Sequence, residues 1–149
     1  MLQAPRTIQT FEVSLKAALF SDGRLLLLQE ADTGYWELPG GRIDAGEERT
    51  PHDAILAREI AEELGPRVQF DTTDQAVSFV RQRPTDGVFQ FVFVRVCHYR
   101  SGALRLSDEH AALAWHDGPS ALALAFPPLS DYPAAIARLF ALGANTDRV

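Results

Sequence analysis

The sequence predicts an α/β (α+β) domain in which a mixed sheet carries helices. Three observations predict it: an alternating segment followed by a leucine run near the start, one punctuated helical segment in the middle, and two strand-like runs followed by a C-terminal helical pattern. The chain has 149 residues, 46% of them hydrophobic and 23% charged, which suits one soluble domain over 1–149.

Taken in order, "TFEVSLKAALF" alternates Phe11, Val13, Leu15 and Ala17 with Glu12, Ser14 and Lys16, the period-2 pattern of a half-buried strand. "SDG" turns the chain into "RLLLLQE", a second strand buried on both faces. "ADTGYWELPGG" is a punctuated loop with a short extended piece at Tyr35 to Leu38. A helix follows, with Thr50 as N-cap, Pro51 in the first turn and Asp53 three beyond the cap; Gly65-Pro66 ends it. "QAVSFVRQR" and "VFQFVFVRVCHY", joined by the turn "PTDG", form a second hairpin, and "HAALAWHD" is a weaker strand. "SDYPAAIARLFALG" is an amphipathic helix whose Ile136, Leu139 and Phe140 share a face and which ends at Gly143.

A formal charge of −6 disfavours nucleic-acid polymers and anionic membranes as partners, since both select concentrated Lys and Arg. No segment has the apolar length of a membrane span or signal core, so a cytoplasmic protein is expected. The lone Cys97 lies in an apolar run and reads as a small core residue.

The informative stretch is "GGRIDAGEERTPHDAILAREIAEELG", from Gly40 to Gly65. On a helix Glu59, Glu62 and Glu63 share one side, while Leu56, Ile60 and Leu64 form an apolar row on another. Like charges so spaced, in the last turn where the helix dipole also disfavours anions, destabilise the helix. A solvated acidic face with Arg58 as ion-pair partner is one explanation, and a hard-cation site for Mg²⁺ or Mn²⁺ is the other. The Pro-Gly-Gly before the helix favours the second, because glycines let backbone approach a ligand.

This stretch resembles the Nudix box, G-x5-E-x7-R-E-U-x-E-E-x-G-U with U aliphatic. Gly41, Glu47, Arg58, Glu59, Ile60, Glu62, Glu63 and Gly65 match its fixed positions, and "YWELPGG" resembles the usual approach to it. Two departures stand out. Ten residues, "ERTPHDAILA", separate Glu47 from Arg58 where the family has seven, and Pro66 replaces the final aliphatic.

The resemblance implies a Nudix-type α/β/α sandwich with a mixed sheet. It implies a Mg-dependent hydrolase, with Mn²⁺ as a substitute, cleaving the pyrophosphate linkage of a nucleoside diphosphate derivative through a metal-activated water. Metal binding falls to Glu59, Glu62 and Glu63, with a carbonyl of Gly40 or Gly41; whether Glu47 joins them depends on how the loop absorbs the insertion. Arg58 would orient Glu47 or a neighbouring glutamate. The general base is either Glu59 or Glu109, the latter from a segment resembling the family loop that precedes a Trp-bearing strand. His110 reads as a neighbour without a chemical role, and His52 and His116 as surface residues. Arg81, near a strand end, and Gln29 are the substrate-contact candidates. The substrate is a small nucleotide of the nucleoside triphosphate or nucleotide sugar class, and family members often form homodimers. A catalytically inactive nucleotide-binding domain is the alternative.

Overall fold

The computed structural model describes residues 4–146, with side-chain burial described for 4–143. Strands β1 (Glu12–Ser21) and β2 (Arg24–Glu30) form the expected antiparallel hairpin. Pairing of Ser21 with Arg24 leaves Asp22 and Gly23 as a two-residue loop, at φ 51° and 73°, the positive values a type I′ turn requires. Leu25, Leu26, Leu27 and Leu28 are all fully buried, so the run is covered on both faces.

Two short strands follow, β3 (Trp36–Glu37) against β2 and β4 (Gly40–Arg42) against β1. Helix α1 (His52–Leu64) leads into the long hairpin of β5 (Gln69–Gln82) and β6 (Phe89–Ser101), and β7 (His110–His116) returns to β2. The five-residue α2 (Gly118–Leu122) and then α3 (Tyr132–Thr146) complete the chain.

The sheet runs β3-β2-β1-β6-β5, with β4 added to β1 and β7 to β2. It is mixed, because β1 and β6 are parallel and the other pairs antiparallel. A parallel pair needs a long crossover, and this one contains α1. On one face Leu56, Ile60 and Leu64 of α1 pack with Leu26, Leu28 and Cys97; on the other Ile136 and Leu139 of α3 pack with Leu25, Leu27 and Phe79. The α/β/α sandwich is therefore as expected. Among the described residues no helix is long and apolar enough to cross a membrane.

Several expectations need correction. The N-cap of α1 is Pro51, not Thr50: at φ −54° and ψ 135° it is extended, and its carbonyl accepts from Ala54 (3.0 Å) and Ile55 (3.3 Å). Thr50 instead donates its N–H to Glu47 O, and Asp53 pairs with Arg95. Helix α3 continues through Gly143, where a Cβ would lie 2.5 Å from the Phe20 ring; the glycine is a packing notch rather than a stop. The polar face of β1 is not left to solvent either, since Ser14 is buried and the Lys16 side chain is 11% exposed.

Candidate active site

The glycine pair is held by both halves of the sheet. Glu37 pairs with Leu28, and buried Leu38 donates its N–H to the Tyr132 hydroxyl at 3.1 Å. Beyond Pro39 the chain meets β1, Gly40 opposite Lys16 and Gly41 opposite Leu15. Gly40 sits at φ 139°, and a Cβ there would fall 2.1 Å from the Leu15 carbonyl oxygen. At Gly41 a Cβ would fall 2.5 Å from the carboxyl carbon of Glu59. Each glycine is thus required for a different reason: the first by backbone geometry, the second by an acid lying against it.

Helix α1 supplies the acids. Glu63 is buried and its Oε2 accepts the Gly40 N–H at 2.9 Å. Burial is the main cause that pushes its carboxyl up to about 7, more than Lys16 and the Gly40 N–H lower it. Glu59 is also raised, first by burial, with Arg58 opposing. Glu62 faces outward, its side chain 58% exposed and held by Arg58 at 3.2 Å. Among the described residues, no group of three His, Cys, Asp or Glu side chains is already gathered as a metal cluster.

Arg58 is the hub of this face. It donates to both oxygens of Glu47, at 2.9 and 2.8 Å, and to Glu59 at 3.3 Å. Glu47 is fixed in turn by accepting the Asp44 N–H and by its own N–H donated to Asp44 O. The ten residues between Glu47 and Arg58 run through the loop to Pro51 and into the first turns of α1.

A buried polar chain lies behind the glycines. Lys16 Nζ donates to Gly40 O at 3.3 Å and stands 4.0 Å from Glu37. Burial works against its charge, but Glu37, Tyr132 and Glu63 outweigh it and raise its pKa. Burial likewise works against ionised Glu37, yet Lys16 and His110 hold it down to about 2. His110, 6% exposed, brings Nε2 to 2.8 Å from Glu37 Oε1, and this bond, against burial, raises its pKa. Sequence reasoning missed both Lys16 and His110. The signal available was a lysine on an apolar strand and a histidine beside a candidate acid.

The other candidates lie apart from the acid helix, Glu109 in a cleft whose wall includes Glu37. Exposed Glu109 lines it with Glu30, Asp32, Glu37, Asp108 and His110, and its carboxylate has no hydrogen-bond or ion-pair partner among the described residues. Arg81 reaches inward: its Nε is buried without a hydrogen-bond partner among the described residues, and its charge acts on Lys16, Glu30 and Tyr132. Gln29 spends its amide on Gly34 O at 3.0 Å, bracing the turn after β2. His52 is exposed as expected; His116 is half-buried, edge-on to Trp36 and bonded to Ser120 at 2.8 Å, because α2 folds over it.

A model of the NUDIX domain matches residues 12–135. The MutT-like protein of Streptomyces ambofaciens is 40% identical over 94 residues, which cover 63% of this chain and 55% of that protein. The chain thus spans little more than half of that relative's length. The crystal structure of the MutT NUDIX hydrolase from Burkholderia pseudomallei superposes with TM-score 0.63 at 28% identity, over 88% of this chain and 98% of that one. The solution structure of the E. coli ORF135 protein shares the fold, with TM-score 0.64 and 24% identity over 98% of this chain and 100% of that one.

Proposed function

The chain belongs to the NUDIX domain family, matched over residues 12–135, and from that premise we propose that it is a Mg²⁺-dependent hydrolase of the pyrophosphate linkage in a nucleoside diphosphate derivative, a nucleoside triphosphate or nucleotide sugar. The observation that carries this reading is the pair Glu59 and Glu63, one half-buried carboxyl against Gly41 and one buried carboxyl on Gly40, both raised chiefly by desolvation. Buried carboxyls of that kind are stabilised in their charged form by a cation.

The residues present fit a hard divalent ion. Glu59, Glu62 and Glu63 with a Gly40 or Gly41 carbonyl would form an all-oxygen set, the type Mg²⁺ selects and Mn²⁺ also accepts, once Glu62 turns from Arg58 and, for Gly40, Lys16 gives up its bond to the carbonyl. When bound, the ion supplies charge neutralisation at the phosphates and lowers the pKa of a water. Glu47 acts through Arg58, which fixes the acids of α1, and is not itself a ligand. Arg81, whose charge acts on Glu30 at the cleft, adds positive field for a substrate phosphate; Gln29 braces the turn after β2 through Gly34.

In the hydrolysis the water oxygen forms a bond to one phosphorus, the bridging P–O bond breaks with its electrons staying on the leaving phosphate, and the water proton passes to a base. Glu109 is the better base of the two candidates. Glu59 has its carboxyl pressed against Gly41 and bonded by Arg58, whereas Glu109 is unpaired and faces the open cleft.

Nucleoside monophosphate formation, with pyrophosphate from a nucleoside triphosphate or a sugar phosphate from a nucleotide sugar, measured across a panel of both with Mg²⁺ tests the proposal, with Glu63→Gln as the comparison. Wild type turns over at least one member and the variant at least about 100-fold less. Binding of nucleotides without release from any would instead identify an inactive binding domain.

A further inference from the structure

Glu109 is exposed and lines a cleft with Glu30, Asp32 and Asp108, none of which is hydrogen-bonded or ion-paired to its side chain. What holds it is its backbone. Ala31 donates its N–H to Glu109 O at 3.0 Å, and His110 donates its own N–H to Ser107 O at 3.2 Å. The His110 ring is the one side chain of this segment that enters the core, with Nε2 on Glu37 at 2.8 Å and Nδ1 3.4 Å from Ser107 Oγ. Glu37 lies in turn beside Lys16, Lys16 donates to Gly40 O, and Gly40 donates to Glu63. A continuous polar chain therefore runs from the acid helix to the loop bearing Glu109.

We propose that the Glu37–His110 pair is a positioning device that sets where Glu109 stands relative to the carboxylates of α1. The claim rests on Glu109 being the base in the reading above. Neither His110 nor Glu37 touches substrate; they act through the loop backbone. The pair closes a contact between residues 73 apart in sequence, joining β3 to the start of β7 at the cleft wall. Misplacing a base by about 1 Å costs on the order of 100-fold in rate, so an anchor on the residue next to the base has a direct catalytic consequence.

The two ring nitrogens can be separated by substitution. His110→Gln keeps an amide near the Nε2 position, and His110→Asn keeps one only near Nδ1. The readouts are amide hydrogen exchange at Ala31, whose N–H reports the Glu109 backbone contact, and kcat and KM on the nucleotide turned over in the panel. His110→Asn is expected to speed Ala31 exchange about 10-fold or more and to lower kcat about 10–100-fold with KM little changed. His110→Gln is expected to restore both, and adding Glu109→Gln to His110→Asn to cost much less than it does alone. Unchanged Ala31 exchange, or losses that simply multiply, would overturn the proposal. If His110→Asn fails to fold, Glu37→Gln gives the same two readouts. If wild type hydrolyses no nucleotide, the enzyme reading fails on its own terms, while Ala31 exchange still decides the anchor.

Discussion

Arg58 grips both oxygens of Glu47, at 2.9 and 2.8 Å, although the two residues are eleven apart in sequence. The loop has therefore absorbed its additional residues without detaching Glu47 from the acid face of α1. The same guanidinium reaches Glu59 and Glu62. Its raised pKa follows first from Glu62 and then from Glu47, so it remains a cation throughout the working range.

Arg58→Lys keeps the charge but not the fork that spans two oxygens. Mg²⁺ titrations of turnover should show affinity weakened about 10–100-fold, as for lost partners of metal-binding side chains. Thermal melts should move little, because the guanidinium is partly in water. An unchanged Mg²⁺ dependence would remove Arg58 from the site.

Glu63 gives a pH-dependent prediction. Its folded pKa, about 7, exceeds the ordinary 4.5. Between those values the unfolded chain loses its proton first, so this group makes the fold less stable as pH rises through the window, and the penalty persists above it. Glu63→Gln should therefore be more stable than wild type at pH 8 in EDTA by about 1–3 kcal/mol in denaturant melts, and the difference should vanish near pH 4. Saturating Mg²⁺ should raise the wild-type melting point and leave the variant nearly unmoved. Equal melts at both pH values would show that burial does not strain this carboxyl.

The two glycines should fail in different ways. Gly40→Ala forces a side chain onto φ 139° and against the Leu15 carbonyl, and should cost more than about 2 kcal/mol in denaturant melts. In Gly41→Ala the nearest atoms met are the end of the Glu59 side chain, which can move. It should keep nearly wild-type stability and lose activity, with circular dichroism unchanged.

Gly143→Ala tests packing far from the chemistry. Its Cβ would meet the Phe20 ring at 2.5 Å, and overpacking of that kind costs about 1–3 kcal/mol. Turnover per folded molecule should be unaffected; a fall in kcat would mean that α3 is coupled to the cleft.

Legibility varied with how local the cause was. The leucine run and the Leu56, Ile60, Leu64 row could be read because each announces its burial by its own spacing. Strand β4 could not, since Gly40–Arg42 carries no apolar pattern and exists through pairing with β1. Strand β5 begins at Gln69, ahead of the expected Gln75, because a polar, bulged lead-in is held by backbone pairing to β6. The acids of α1 were legible as a group, but their divergence was not: Glu59 and Glu63 lean on the glycines while Glu62 turns to Arg58. Lys16 and His110 were hidden for one reason. Their partner Glu37 is remote in sequence, and a polar residue on a strand gives no sign of what will cover it.

The parallel pairing of β1 with β6 has a consequence in time. Glu12 and Gln90 are neighbours in the sheet but 78 residues apart in the chain, so β6 reaches β1 only after an expensive loop closure. During synthesis β1 and β2 can form their hairpin early, with one β1 edge uncovered until β6 emerges and one face of the leucine run uncovered until α3 does. That interval is when the chain is most exposed to wrong partners. The cleft between Glu37 and Glu109 is accordingly among the last parts of the molecule to exist, and a ribosome stalled before residue 89 would hold a chain with every acid of α1 made and neither Glu109 nor His110.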